Sequence, residues 1–178
     1  MTFEEALQRL KAGNKVYLKS EICGGDISPA VRERTGREGQ HPYATVVTCS
    51  DSRVIPESIF SAGIGELFVI RAAGNVVGNL QLGSIEYATE HLKTPLVLVL
   101  GHSGCGAVGA AIGSSPTGFV KYITDQIKEA IGAEKDDLTA CGLNVKRTVE
   151  KIKSAFPERE FEVVGAIYNL MDGTVNFL

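Results

Sequence analysis

The sequence predicts an α/β fold with a mainly parallel central sheet, an antiparallel edge, helices on both faces and an N-terminal helical arm. Short apolar segments alternate with segments of helical periodicity, which is typical of strand–helix–strand units. The apolar segments show little polar alternation, as expected for strands covered on both faces. The Asp172-Gly173 pair predicts a terminal hairpin that supplies the antiparallel edge. Four segments are predicted to be strands: Tyr43–Thr48, Leu67–Ile70, Pro95–Leu100 and Phe161–Tyr168.

Helices are predicted at the start of the chain and between the strands. Thr2 and Glu5 have the spacing of a capping box, so the first helix should begin there. Its apolar residues, Phe3, Leu7, Leu10 and Val16, indicate that it packs against the rest of the fold. A loop and a short second helix are expected within residues 21–40. The remaining helices are predicted at Pro56–Phe60, Asn79–Leu92, Cys105–Ile112, Thr117–Ile131 and Leu138–Phe156.

Length and composition indicate one folded domain over residues 1–178, divided into a helical arm (1–40) and a metal-binding core (41–178). Hydrophobic residues make up 44% of the chain and charged residues 22%, and no repeat or linker interrupts it. A net charge of −3 argues against a nucleic-acid or membrane partner. Apolar segments are too short to span a bilayer, and the acidic N-terminus resembles no secretory signal, so a cytoplasmic location is expected.

Four cysteines, Cys23, Cys49, Cys105 and Cys141, fit metal binding or catalysis better than disulfides if the compartment is reducing. Cys23 and Cys141 have no histidine nearby in sequence. We expect these two to be small buried side chains, and we assign no role to either.

A metal site is predicted where two strands end. Cys49 follows the first predicted strand, and His102 and Cys105 follow the Pro95–Leu100 strand. Because ligands gather beyond the carboxyl ends of parallel strands, neighbouring strands would bring these three side chains together. Two thiolates and one imidazole, with a fourth position open, are typical of catalytic zinc.

Asp51 and Arg53 lie beside the first of these cysteines. Asp51 is either a fourth metal ligand, which would close the site, or an acceptor for a water at the metal. On a short loop, Arg53 can form a bidentate ion pair with Asp51 and so keep the carboxylate off the metal.

A dinucleotide-binding site is a weaker interpretation of the same region. Residues 104–109 match G-x-G-x-x-G between a predicted strand and a helix, and Asp125 lies at a suitable distance downstream. Asp125, however, falls in a predicted helix instead of at the end of the next strand. The glycines more simply allow a tight turn, and the Gly106 N–H at a helix start can bind anionic oxygen.

The chain resembles the β-class carbonic anhydrases. Its motifs C-S-D-S-R at Cys49–Arg53 and G-H-S-G-C-G at Gly101–Gly106 are similar to the two zinc motifs of that family, and Gly65–Arg71 and Ala73–Asn75 also fit. The similarity covers about residues 40–108. It implies reversible hydration of CO2 to bicarbonate and a proton by zinc-bound hydroxide, with one Zn2+ per chain held by the predicted cysteine and histidine ligands.

The resemblance also implies a substrate pocket and an oligomer. Gln40 matches the substrate-orienting glutamine, Phe68 and Tyr87 match aromatic positions of the pocket, and Gly106 can bind substrate oxygens. In the family Gln40, Phe68 and Tyr87 are often supplied by the partner subunit, and the N-terminal helix lies across that partner. A homodimer or a larger homo-oligomer is therefore expected.

Two other functions compete with CO2 hydration. A hydrolase of CS2 or COS could use the same zinc scaffold, because its substrate is also a linear triatomic molecule. A non-catalytic zinc protein is the other alternative, but a structural site has no need for Asp51, Arg53 and Gln40.

Overall fold

Five strands form one sheet within residues 1–19, 24–114 and 116–178, which are the residues that the computed structural model describes. The strand order is β2–β1–β3–β4–β5; the first four strands run parallel, and β5 runs antiparallel to β4. The predicted sheet and its antiparallel edge are confirmed. The strands are β1 (Ala44–Thr48), β2 (Leu67–Arg71), β3 (Leu96–His102), β4 (Glu162–Tyr168) and β5 (Val175–Phe177).

The helices follow the predicted order. In the capping box at the start of α1, Glu5 N–H donates to Thr2 Oγ1 (3.2 Å) and Thr2 N–H donates to Glu5 Oε2 (2.7 Å). None of the helices in the described residues is long and apolar enough to cross a bilayer. They are α1 (Phe3–Tyr17), α2 (Pro29–Glu38), α3 (Pro56–Ile59), α4 (Asn79–Glu86), α5 (Gly106–Gly113), α6 (Val120–Ile131) and α7 (Asp137–Ala155).

Two helix boundaries differ from the prediction by more than one residue. The helix predicted over residues 79–92 is α-helical only to Glu86 and continues as a π-helical turn, Tyr87–His91. Helix α6 begins at Val120 instead of Thr117, because Gly118 adopts a left-handed conformation (φ 64°) that a right-handed helix cannot contain. A short 3-10 turn, Ala73–Asn75, follows β2 and was not predicted.

Both faces of the sheet are covered, as predicted. Side chains alternate along β1 and β3, so Val47, Val97 and Val99 pack with buried residues of α5, α6 and α7. Their neighbours on the opposite face, Val46 and Leu98 among them, pack with residues of α1 and α3. The sheet is therefore the middle layer of three, which fixes its strands rigidly beneath the loops at their carboxyl ends.

Helix α1 is joined to the last strand through one buried amide. Asn14 is 7% exposed, and its Nδ2 donates to the carbonyl groups of Ile59 (3.2 Å) and Gly173 (3.0 Å). Its Oδ1 accepts the Val175 N–H (3.2 Å). This side chain thus satisfies backbone groups in two segments that α1 covers.

Replacing Asn14 should therefore destabilise the fold. Asn14→Ala leaves buried backbone groups without partners, and we expect the free energy of unfolding to fall by about 2 kcal/mol. Urea denaturation at one fixed protein concentration would measure the change. Gln8→Ala, an exposed substitution on the same helix, is the control and should change stability by less than about 0.5 kcal/mol. Equal losses in the two variants would contradict this account of α1.

Candidate metal centre

The pairing of β1 with β3 brings the predicted ligands to one edge of the sheet. Thr48 pairs with Leu100 in the parallel register, and the Thr48 hydroxyl donates to the Leu100 carbonyl at 2.8 Å. Cys49 is the next residue after β1, and His102 is the last residue of β3. Both side chains therefore leave the sheet at neighbouring strand ends.

Cys49, His102 and Cys105 form a compact cluster. One ligand atom from each residue lies within 4.8 Å of the other two, and the residues are only 4%, 1% and 2% exposed. Tetrahedral zinc with bonds to sulfur of about 2.3 Å and to nitrogen of about 2.0 Å needs ligand atoms roughly 3.5–3.8 Å apart. The cluster fits such an ion with only small movements of the side chains.

The His102 ring is held with one nitrogen directed into this cluster. Nδ1 lies 2.9 Å from the Ser103 carbonyl, which favours the tautomer that donates from Nδ1. Nε2 is buried and has no hydrogen-bond partner within the described part of the chain. Burial opposes a charged ring, but the Cys49 sulfur and the Asp51 carboxylate outweigh it and raise the His102 pKa. A metal at Nε2 would provide the missing partner.

The two thiols interact strongly with each other. A hydrogen bond between the side chains lowers the pKa of Cys49 and raises that of Cys105, so one proton is shared by the pair. Backbone N–H groups also point at the Cys49 sulfur, from Gly74 at 3.3 Å and from Asp51 at 3.4 Å. The site is thus built to hold a thiolate at Cys49, the form that binds metal.

Asp51 is paired with Arg53. Its Oδ1 accepts the backbone N–H and Nε–H of Arg53, both at 2.9 Å, and its Oδ2 accepts from Nη2 at 2.6 Å. These bonds to Arg53 hold the pKa of the Asp51 carboxyl well below its usual range. Oδ2 also lies 3.9 Å from His102 Nε2, so the carboxylate faces the cluster while it remains bound to arginine.

Arg71 is a site residue to which sequence reasoning gave no role. Its Nε donates to the Cys49 carbonyl (3.0 Å), and its Nη2 donates to the carbonyls of Asp51 (2.7 Å) and Val54 (2.9 Å). One side chain at the end of β2 therefore holds the loop that carries both Cys49 and Asp51. Two signals in the sequence marked it: Arg71 directly follows the predicted strand Leu67–Ile70, and it ends Gly65–Arg71, a segment that fits the family resemblance.

The structure does not place the side chains of the remaining predicted site residues among the three ligands. Gln40 is exposed, and Tyr87 is 47% exposed with its ring 6.1 Å from that of half-buried Phe68. Phe68 packs against the buried core that contains Cys49 and Cys105, whereas within the described residues no hydrogen bond joins Gln40 or Tyr87 to the three ligands. Gly106 is the first residue of α5, directly after Cys105, so its backbone is beside the cluster.

The dinucleotide interpretation fails on the position of its acidic residue. Asp125 lies within α6, where its carboxylate pairs with Lys121 one turn earlier. Cys141 is buried, as predicted, whereas Cys23 lies outside the described residues.

Comparison with known proteins agrees with the resemblance drawn from the motifs. The family described as carbonic anhydrase matches residues 44–175. A carbonic anhydrase of Mycolicibacterium smegmatis is 35% identical to this chain in an alignment of 192 positions, gaps included. The alignment covers 96% of this chain and 90% of that protein.

Solved structures show the same fold. The β-carbonic anhydrase CafA of Aspergillus fumigatus superposes with a TM-score of 0.73 at 27% identity, covering 99% of this chain and 90% of that one. One of two tetrameric β-carbonic anhydrases from Sordaria macrospora gives 0.71 at 25% identity, with 99% and 96% covered. The matched residues include both loops of the cluster, and the chain therefore belongs to the β-class carbonic anhydrases.

Proposed function

We propose that this enzyme catalyses the reversible hydration of CO2 to bicarbonate and a proton, using one zinc ion per chain. Cys49, His102 and Cys105 would hold the metal. The observation that carries the proposal is that these ligand atoms lie close together in a buried position, beside the Asp51 carboxylate that Arg53 holds by hydrogen bonds. Family membership supports both the metal and the reaction.

Asp51 would orient the attacking water. Zinc held by the three ligands would supply a Lewis acid that makes water a competent nucleophile near neutral pH. Oδ1 of Asp51 already accepts two bonds from Arg53, whereas Oδ2 accepts one and faces His102. An ionised carboxylate only accepts hydrogen bonds, so the water must direct a proton at Oδ2 and a lone pair elsewhere. That lone pair attacks the carbon of CO2.

Other residues would place the substrate. The Gly106 N–H at the start of α5 can donate to the oxygen that gains negative charge during attack. In this proposal Gln40 orients CO2, and Phe68 and Tyr87 form the apolar wall of a narrow pocket. The proton lost from water passes to buffer, leaving bicarbonate.

The direct test is stopped-flow measurement of CO2 hydration with purified, zinc-loaded protein, with CS2 and COS assayed in parallel. We expect CO2 to be the substrate. Hydrolysis of CS2 or COS without CO2 hydration would identify the alternative hydrolase, and inactivity toward all three would refute the proposal.

Zinc binding should depend on the three ligands. We expect one zinc per parental chain by elemental analysis and loss of the metal in Cys49→Ser and His102→Ala, because two remaining ligands cannot complete the site. Cys141→Ser should retain zinc and controls for the loss of a buried thiol. Stoichiometric zinc in the double variant Cys49→Ser, Cys105→Ala would show that the metal lies elsewhere.

Removing Arg53 should separate metal binding from activity. In Arg53→Ala all three ligands remain, so zinc should be retained, but Asp51 is released and can bind the metal itself. We expect CO2 hydration to fall by roughly 10–100-fold, as is typical of lost outer-shell partners.

Arg37→Ala is the matched control, because it removes an arginine from another surface ion pair, with Glu33. It should leave the rate unchanged. Parental activity in Arg53→Ala would show that something other than Arg53 keeps Asp51 off the metal.

A homo-oligomer is part of the proposal. Phe68 lies on β2, an edge strand of the sheet, and the neighbouring Tyr87 ring is 47% exposed, so both are available to a second chain. A structural relative of this chain is described as tetrameric. Gln40, Phe68 and Tyr87 would then complete the site of the partner subunit.

Complementation can test this sharing of residues. Cys49→Ser and Gln40→Ala should each be inactive alone. If Gln40 acts in the partner's site, a mixed dimer contains one site with intact zinc ligands and an intact glutamine. Random pairing should then restore roughly a quarter of the sites. Two copies of Gln40→Ala differing only in an affinity tag are the control, and absence of recovery after verified mixing would place Gln40 within its own chain's site.

A further inference from the structure

Helix α7 lies directly behind the proposed metal centre. It packs against β3 and β4 and contributes buried residues to the same core cluster as Cys49 and Cys105. Asp137, Cys141 and Asn144 are spaced by four and three residues, so they share one face of this helix. Asp137 and Asn144 each form a hydrogen bond with a segment that touches or carries a proposed zinc ligand, and Cys141 packs between them in the same core as Cys105.

Asp137 holds the second ligand loop. Its Oδ2 accepts the Gly104 N–H at 2.8 Å, between His102 and Cys105 in the chain. The Gly104 carbonyl in turn accepts from Arg53 Nη2 at 3.4 Å. One short segment is thus bound by α7 on one side and by the Asp51–Arg53 pair on the other.

Cys141 lies one helical turn further along and packs in the same buried core as Cys105. Burial, and next the Asp137 carboxylate, raise the pKa of its thiol to about 11, so it remains a neutral core side chain.

Asn144 acts on the other ligand. Its side chain is 3% exposed, and Nδ2 donates to the Gly74 carbonyl at 2.8 Å. The Gly74 N–H, on the other side of the same α-carbon, donates to the Cys49 sulfur at 3.3 Å. Gly74 has a positive φ angle of 64°, which glycine adopts freely, but Asn75 also has one, 46°, and for a residue other than glycine this conformation needs support from its surroundings. Asn144 supplies that support and so keeps the Gly74 N–H directed at sulfur.

We propose that α7 is the positioning element of the metal centre, with Asp137 and Asn144 as positioning residues that hold the two ligand loops at metal-binding distance. The inference rests on the zinc binding proposed above. It adds residues that lie 35 or more positions from His102 in sequence and touch no substrate. Fixing both loops from one helix means that the ligands need little rearrangement when zinc binds, which favours high affinity.

The first test measures zinc affinity by competition with a chromogenic chelator. We expect Asn144→Ala and Asp137→Ala each to weaken zinc binding roughly 10–100-fold. Asp137→Asn keeps an oxygen acceptor for the Gly104 N–H and should recover most of the affinity. Thr148→Val is the matched control, because among the described residues the buried Thr148 hydroxyl donates to the Asn144 carbonyl of its own helix and to no ligand segment. It should bind zinc as the parent does.

The second test measures a spectroscopic property of the Cys49 sulfur. In the cobalt-substituted protein, weakening the Gly74 N–H bond should move the sulfur-to-cobalt charge-transfer band of Asn144→Ala to lower energy, because the thiolate becomes more electron-rich. Thr148→Val should leave the band in place. Parental zinc affinity and an unshifted band in folded Asn144→Ala, together with parental affinity in Asp137→Ala, would overturn the proposal.

Amide hydrogen exchange on chelator-treated protein separates this inference from the proposed function. Gly104 should exchange at least about tenfold faster in Asp137→Ala, and Gly74 in Asn144→Ala, whether or not the parent binds zinc. Parental exchange rates at these amides would refute the positioning role. Failure of the parent to bind zinc would instead count against the proposed metal site. Asp137 is only half-buried, so its variant carries the test if Asn144→Ala does not fold.

Discussion

The parallel pairing of β1 with β3 is the constraint on which the site depends. Cys49 and His102 are 53 positions apart (102 − 49), and their proximity follows from the register that sets Thr48 opposite Leu100. A shift of one residue in either strand would turn its ligand toward the opposite face of the sheet. The buried bond from the Thr48 hydroxyl to the Leu100 carbonyl adds a second link between the two strands directly before the ligands.

Much of the fold and of the candidate site could be predicted because its residue types are informative. Apolar strands, a capping box and soft metal ligands at strand ends each have few alternative interpretations. Arg71 and Asn144 could not be found in this way, because both bind backbone carbonyl groups. Every residue has a carbonyl group, so the sequence contains no mark of which ones a distant side chain will reach. The left-handed turn at Gly74 and Asn75 was not predicted either, since it depends on tertiary packing.

The supports around the cluster differ in their exposure to solvent. Arg53 has 57% of its side chain exposed and pairs with a carboxylate that is 16% exposed. An ion pair of this kind is weakened by salt and can rearrange quickly. Asn144 is buried and uncharged, so its bond to Gly74 is insensitive to ionic strength. Asn144 therefore gives the centre a support that does not depend on salt, whereas solvent conditions can change the Asp51–Arg53 pair.

The bonds of Asn14 also govern when the chain can finish folding. Its amide oxygen accepts from a residue 161 positions later, and its nitrogen reaches Gly173. During synthesis α1 is made long before the hairpin, and its buried amide has no partners there until residues 173–175 have been made. Until then water satisfies the amide groups that the hairpin will bind, while α3 and β3 can already cover the apolar face of α1. The burial of Asn14 is therefore completed only by the hairpin, after the other contacts of α1 can have formed.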